Sequence, residues 1–331
     1  MTSIELRLPA DYRAASLRKD ALAGLTAMPK SLPPKWFYDA QGSALFEKIT
    51  ELPEYYPTRA ERSILQAVAP RIAARTGAAV LAELGSGSSE KTRLLLSALR
   101  EAGTLRAYVP VDVSESALVQ AGDALAGEYP GLAVHAIVAD FGLDLGLAGG
   151  DGSSADGAGP GGPRLVAFLG STIGNMEPAE RASFLRRVRE RLRPGDTFLL
   201  GTDLVKDPAV LVAAYDDSAG VTAAFNRNVL SVLNAELGAD FDLDNFEHVA
   251  LWDAGHEWIE MRLRSTAAQR VRIRDLGLTV EFGDGEEMRT EISAKFRRDG
   301  VRAELAAAGL AMRDWWTDAN GQFGLSLAVP C

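Results

Sequence analysis

The sequence predicts an α/β protein, with a parallel sheet and crossover helices in one domain and an α+β arrangement in a second. Three observations carry this. Five near-continuous apolar runs, each ending in small or acidic residues, alternate with helical patterns between about Ala60 and Asp203. Runs of that length without alternation fit strands covered on both faces. After Leu204 the period changes, first to one amphipathic helix and then to strands with two-residue alternation. The chain, at 331 residues with 47% hydrophobic and 24% charged residues, is long and apolar enough to bury a core in each of two domains.

The elements follow in order. Residues 1–59 carry Pro33-Pro34, then KWFYDAQGSALFEKI and LPEYYPTR, with six aromatics from Trp36 to Tyr56. This segment reads as an arm whose rings fill a groove. Strands are expected at Val80–Gly85, Ala107–Val113, Val134–Ala139, Leu165–Gly170 and Thr197–Thr202. Helices are expected at Glu90–Arg100, Glu115–Ala126 and Pro178–Leu192, the last opened by its proline and stopped by Arg193-Pro194-Gly195. Alternating β and α implies right-handed crossovers and a ligand site at the carboxyl ends of the strands. The stretch GGDGSSADGAGPGG, 149–162, is half glycine and reads as a surface loop with no assigned function.

Asp207-Pro208 looks like an N-cap and a first-turn proline. Val221, Phe225, Val229, Val232 and Leu233 mark one face of a helix ended by Gly238. Ile259, Met261 and Leu263 share one face of a strand, with Glu260, Arg262 and Arg264 on the other. The tail reads as a helix over Arg302–Leu310 and a hairpin, Met312–Thr317 and Phe323–Val329, around Asn320-Gly321, rejoining the first sheet. The domain boundaries are therefore 60–203 plus 286–331 for the first and 1–59 plus 204–285 for the second.

Composition excludes several functions. Lys plus Arg is 35 against 45 for Asp plus Glu, a net charge of −10 that disfavours nucleic acid and anionic membrane as partners. The one cysteine, Cys331, rules out a disulfide framework, and the three histidines, His135, His248 and His256, lack metal-pair spacing, so no metal is expected. With no readable signal peptide and no apolar run of about 18 residues, the expectation is a cytoplasmic protein acting on small molecules.

Candidate chemistry starts at Glu83-Leu84-Gly85-Ser86-Gly87-Ser88-Ser89-Glu90, between a strand and a helix. Glycines let a ligand approach the backbone, and a helix N-terminus favours negative charge. Glu90 stands where a pyrophosphate would sit, which argues against a dinucleotide and for S-adenosylmethionine, which presents only a carboxylate and a ribose. A glycine turn without ligand also fits. Asp112 ends the second run and suits ribose hydroxyls. Asp140-Phe141 ends the third, where the acid could meet an adenine amino group and the ring could pack on the base. Either acid alone also fits a cap or turn. Asn175, after the fourth run, offers donors and an acceptor without charge, or ends a turn before Pro178.

With these residues in place, the sequence resembles the histidine Nα-methyltransferases of ergothioneine biosynthesis, which convert L-histidine to hercynine. The resemblance runs through YDAQGSALFEKITELPEYYPTRAE (38–61), ELGSGSSEKTRLLL (83–96), YVPVDVS (108–114), FLGSTIGN (168–175), GTDLVKD (201–207), AYDDSAGVTAAFNRNVL (214–230), WIEMRL (258–263) and TEISAKF (290–296). It implies a Rossmann-like class I methyltransferase core with a second, substrate-binding domain. It assigns Tyr38, Gly85, Lys91, Asp112, Asp140 and Phe141 to S-adenosylmethionine, with Lys91 as partner of the methionine carboxylate. It assigns Tyr55, Gly170, Asn175, Tyr215, Met261, Glu291 and Ser293 to histidine.

In this reading Asn175 and Tyr215 hold the substrate carboxylate, Tyr55 lies beside the α-amine, and Glu291 and Ser293 read the imidazole. Tyr55 and Asn175 are the catalytic candidates. Residues two apart in a strand point the same way, so Glu291 and Ser293 can meet one ring. Ser293 can donate to its second nitrogen or accept from it. Aromatic walls from Tyr38, Phe46, Tyr55 or Tyr56 would face the growing trimethylammonium. An α-N-methyltransferase acting on tyrosine or tryptophan is the alternative, which Glu291 and Ser293 disfavour. No pattern demands self-association, so a monomer is the default.

Overall fold

The computed structural model describes residues 2–87, 89–142, 144–147 and 161–331. Of the glycine-rich stretch, 149–160 lies outside them. Two compact units result, one of Met1–Pro9, Arg59–Leu204 and Phe296–Cys331, the other of Ala10–Thr58 and Val205–Lys295.

In chain order the elements begin with β1 (Thr2–Leu6), α1 (Tyr12–Thr26), α2 (Ala40–Glu51) and α3 (Pro57–Thr76). Then come β2 (Val80–Leu84), α4 (Thr92–Glu101), β3 (Ala107–Asp112), α5 (Glu115–Glu128), β4 (Ala133–Val138), β5 (Arg164–Phe168), α6 (Pro178–Arg191) and β6 (Thr197–Asp203). Next are α7 (Pro208–Tyr215), α8 (Val221–Leu237), β7 (Phe246–Asp253), β8 (Trp258–Ser265), β9 (Gln269–Ile273), β10 (Leu278–Phe282) and β11 (Glu287–Ala294). The chain closes with α9 (Arg298–Ala307), β12 (Leu310–Thr317) and β13 (Phe323–Pro330).

The first unit is built on an eight-stranded sheet of order β1-β4-β3-β2-β5-β6-β13-β12. Strands β2 to β6 pair in parallel, and the β12–β13 hairpin adds antiparallel to β6. The apolar runs explain the centre: every residue of β2, β5 and β6 is buried. The chain leaves β2 toward β3 and β4 and returns to place β5 on the other side of β2, so the strand order reverses there. In open α/β sheets ligands bind at such a switch point, outside the strand carboxyl ends. Helix α6 opens on Pro178 with a reciprocal Glu177–Glu180 capping box.

One feature of this unit differs from the sequence expectation. β1 pairs in parallel with β4 as an edge strand, so the first nine residues belong to this sheet and not with the arm that follows. Ile4 and Leu6 stay exposed, which left β1 without an apolar signature. The hairpin around Asn320-Gly321 forms where the sequence places it, with β12 ending at Thr317 and β13 starting at Phe323, and Asp318 organises its loop by accepting from the backbone N–H groups of Asn320, Gln322 and Phe323.

The second unit holds a three-stranded antiparallel sheet, β11-β8-β7, and a two-stranded ribbon, β10-β9. Glu291 lies opposite Met261 and Ser293 opposite Ile259. This pairing places 286–295 in the second unit, and the boundary falls after Lys295 rather than at 286. Helix α7 is capped by Asp207, which accepts from Ala209 N–H at 2.9 Å. Helix α8 ends at Gly238 in the left-handed region, φ +59°. Phe225, Val229, Val232 and Leu233 are buried as expected, but so are Asn226 and Asn228. Asn228 donates to the Phe37 carbonyl and the Asp39 carboxylate, tying α8 to the start of α2.

Candidate active site

In the first unit the site residues gather at the strand tips. After β2 the chain turns through Gly85 (φ +66°), Gly87 (φ +49°) and Ser89 (φ +54°). Asp112, at the tip of β3, accepts from Gly87 N–H at 3.0 Å and from Ser114 N–H at 2.9 Å. One carboxylate thus clamps the glycine turn and the start of α5. Burial pushes its pKa up, against the backbone donors that lower it. Its oxygens keep lone pairs for ribose hydroxyls. A Cβ on Gly85 would lie 3.6 Å from the Phe141 ring, which packs edge-on to Phe168 at 5.4 Å. Asp140 accepts from Gly142 N–H at 2.7 Å.

Sequence reasoning missed Glu61, which joins these parts. It is fully buried, pairs with the Lys91 ammonium and accepts from Gly170 N–H at 2.9 and 3.1 Å. A Cβ on Gly201 would lie 2.3 Å from Glu61 Oε1, so the glycine of GTDLVKD makes room for this carboxylate. The expected Lys91 partner was a cofactor carboxylate; the partner within the protein is Glu61. A Cβ on Gly170 would lie 3.6 Å from Lys91 Nζ, so Gly170 and Lys91 adjoin. Glu61 closes the block 38–61 quoted above, but its partners lie 30 and 109 residues away, beyond any local period.

Glu83 was also overlooked, inside an apolar run. It accepts from Thr92 Oγ1 at 2.6 Å and from the Tyr108 hydroxyl at 2.5 Å, and burial raises its pKa to about 7. Ser171 follows Gly170 in the left-handed region, φ +58°, where a non-glycine residue is strained, and its Oγ accepts from Asp203 N–H. Asn175 ends a short 3₁₀ turn, Thr172–Asn175, half-buried.

The glycine turn passes a test for a polar ligand. Ser86 Oγ is buried there and has no hydrogen-bond partner among the described residues. A buried hydroxyl is costly unless something satisfies it. An orphan hydroxyl, an acid at the second strand tip and an acid–aromatic pair at the third fit S-adenosylmethionine.

The second unit carries the other expected residues. Tyr215, at the end of α7, forms a 2.7 Å hydrogen bond with Ser293 Oγ. Lys295, buried, donates to both, to Tyr215 OH at 2.9 Å and to Ser293 Oγ at 2.8 Å. Sequence reasoning separated Tyr215 from Ser293, giving one to the carboxylate and the other to the ring; the structure joins them. It also missed Lys295, although the alternation that linked Glu291 with Ser293 extends to it. His248 Nδ1 lies 2.8 Å from Asn226 Nδ2 and His248 Nε2 lies 2.8 Å from the Tyr215 carbonyl. Thr290 donates to Asn226 Oδ1, which orients the amide, so the imidazole carries its proton on Nε2. Burial lowers its pKa.

Tyr38 belongs to this unit, its ring 5.6 Å from Phe46 and 5.4 Å from Phe225. Tyr55 lies 6.2 Å from Phe46 and 6.4 Å from Tyr215. Tyr56 does not fit as a wall for a substrate cation. It is buried, accepts from Lys206 at 2.6 Å, and Lys206 Nζ already lies 4.3 Å from its ring centre.

A Rossmann-like sheet with these strand tips defines an S-adenosylmethionine-dependent methyltransferase of class I. Residues 17–330 match the model of the family "Histidine-specific methyltransferase, SAM-dependent". The chain belongs to that family. It is 58% identical to histidine N-alpha-methyltransferase of Mycolicibacterium smegmatis, over 97% of each chain. It is 55% identical to histidine N-alpha-methyltransferase of Mycobacterium tuberculosis, over 99% of each. It is 29% identical to ergothioneine biosynthesis protein 1 of Neurospora crassa, over 98% of this chain and 35% of that one. No helix among the described residues is long and apolar enough to cross a membrane.

Proposed function

We propose that the protein transfers three methyl groups from S-adenosylmethionine to the α-amino nitrogen of L-histidine, forming hercynine, a step of ergothioneine biosynthesis. The observation that carries this reading is the polar strip of β11: Glu291 and Ser293 on one face, with Ser293 held by Tyr215 and Lys295. It offers a carboxylate acceptor and an oriented hydroxyl, the groups an imidazole edge needs. Tyrosine or tryptophan would leave such groups unmatched, which can discriminate by roughly 10⁴.

Gly85, Lys91, Asp112, Asp140, Phe141 and Tyr38 are the residues assigned to the cofactor. When bound, S-adenosylmethionine supplies a methyl group already activated on a sulfonium sulfur. The protein must hold a neutral amine nitrogen about 3 Å from that carbon and in line with the sulfur. Asn175 gives its amide to the substrate carboxylate. Gly170 N–H is committed to Glu61, so Gly170 contributes its carbonyl and its missing side chain. Tyr55 orients the amine by accepting an N–H. A phenol titrates near roughly 10 and is a poor base at neutral pH, so solvent takes the proton of each round. Tyr38, Phe46 and Tyr55 present ring faces to the product cation. Met261, opposite Glu291, closes the apolar side of the ring pocket. The free, exposed Cys331 fits a reducing, cytoplasmic compartment, and a monomer stays the default reading.

The test is stoichiometry. With histidine limiting, three equivalents of S-adenosylhomocysteine should form per histidine consumed. One equivalent would overturn trimethylation, and none would overturn the reaction.

A further inference from the structure

We infer that Glu61 is a positioning residue for the cofactor, aiming the Lys91 ammonium at the amino-acid carboxylate of S-adenosylmethionine. The inference rests on the assignment of that carboxylate to Lys91 in the proposed function. Lys91 is the N-cap residue of α4, and its side chain makes no cap. N-caps are ordinarily serine, threonine, aspartate or asparagine. A cation is poorly placed there, because the positive end of the helix dipole favours an anion. The helix it opens is therefore not what holds this lysine.

Its holder is α3. Two successive residues of α3, Glu61 and Arg62, pair with two successive residues before α4, Lys91 and Glu90, in crossed order. The outer pair, Arg62 with Glu90 at 2.6 Å, is exposed on both sides and fixes little. The inner pair is different. Glu61 is fully buried, whereas Lys91 keeps part of its side chain exposed. The carboxylate is shut away from any ligand and the ammonium is not. Lys91 has three N–H groups, and its hydrogen-bond partner among the described residues is Glu61. Next to it, Thr92 Oγ1 donates to Glu83 at 2.6 Å, so the backbone is anchored separately. What Glu61 decides is the direction of the lysine side chain. Glu61 is itself fixed by Gly170 N–H and by the room that Gly201 leaves.

Glu61→Gln keeps the shape and removes the charge. The amide has one acceptor group and one donor group. With the donor toward Lys91, the ammonium faces N–H groups. With the acceptor toward it, a charge-assisted hydrogen bond becomes a weaker one. Either way the lysine gains freedom that it must lose again when a ligand binds. The substitution also removes a negative charge behind Lys91, which alone would draw a ligand carboxylate in. The two effects have opposite signs, so the measurement separates positioning from charge balance.

The test is titration calorimetry with two ligands, S-adenosylhomocysteine and 5′-methylthioadenosine, with L-histidine saturating throughout. The second ligand keeps the nucleoside and the thioether but has no amino-acid carboxylate. Lys91→Met should weaken S-adenosylhomocysteine about tenfold or more and 5′-methylthioadenosine less than about twofold. Glu61→Gln should show the same selectivity, with a loss of about fivefold or more for the first ligand. Gly201→Ala sets a methyl 2.3 Å from Glu61 Oε1 and displaces the carboxylate with every charge kept. It should give the same selective loss, which keeps the test open if Glu61→Gln fails to fold.

Unchanged or tighter S-adenosylhomocysteine binding in Glu61→Gln, or in Gly201→Ala where that variant stands in for it, would overturn the inference. So would an equal loss for both ligands, which would make Glu61 a support of the nucleoside turn. If Lys91→Met binds S-adenosylhomocysteine as tightly as the unaltered protein does, the assignment of Lys91 falls and the inference falls with it.

Discussion

Replacing Lys91 with methionine keeps most of the side chain's length and removes its charge. Glu61 would then be fully buried with Gly170 N–H as its donor. Removing one partner of a buried ion pair costs about 3–5 kcal/mol. Lys91 keeps 23% of its side chain exposed, so water softens the loss, and we expect the lower end, about 3 kcal/mol. In a Glu61→Gln background the buried charge is already gone. There the same lysine change should cost less than about 1 kcal/mol, as at an exposed ion pair. The double-mutant cycle should therefore give a coupling of roughly 2 kcal/mol. Urea unfolding of the four proteins at pH 8, followed by circular dichroism, measures each stability. Losses that add to within about 0.5 kcal/mol would refute the argument that Glu61 is held by Lys91.

Other consequences can be checked in parallel. Gly201→Ala sets a methyl 2.3 Å from Glu61 Oε1 and 3.4 Å from Leu169 Cα, so it should destabilise by about 1–3 kcal/mol, read as a lower urea midpoint. Glu83 has a folded pKa of about 7 against the usual 4.5, so the folded protein binds the extra proton between those values. Stability from this group is full below pH 4.5 and lost as pH rises through about 7, a swing of roughly 3 kcal/mol. Glu83→Gln should remove that pH slope, and an unchanged slope would reject the assignment. His248 is held neutral by burial, so its contribution is present above pH 6.5 and lost as pH falls through its lowered pKa. His248→Gln should flatten the acid side of the unfolding curve. Tyr55→Phe should lower kcat about tenfold with little change in cofactor affinity. Unchanged rates would take Tyr55 out of the mechanism.

The first unit was largely legible from the sequence because its strands are buried on both faces. Such strands leave apolar runs, and the residues that end them, Asp112, Asp140 and Gly170, stand at the tips where ligands bind. β1 was illegible because an edge strand with Ile4 and Leu6 exposed has no such run. The boundary near 286 was misplaced because nothing local to β11 says that it pairs with β8. Glu61 and Glu83 were hidden for different reasons. Glu61 finds its partners across 30 and 109 residues, and Glu83 sits inside an apolar run where a carboxylate reads as an exception. Lys295 was within reach, since two-residue periodicity extends from Glu291 through Ser293 to it. The roles of Glu291, Ser293 and Tyr215 came from resemblance. Their hydrogen-bond partners came from the fold.

The central claim is that histidine is the substrate and its α-nitrogen the site of three methylations. The direct measurement is to incubate the protein with S-adenosylmethionine and an equimolar mixture of the twenty common amino acids and to analyse every product by mass spectrometry. The account predicts histidine carrying three methyl groups on the α-nitrogen, with the other nineteen unmodified. Methylation of tyrosine or tryptophan in place of histidine would contradict the reading of Glu291 and Ser293, and methyl groups on the imidazole ring would contradict the orientation of the substrate.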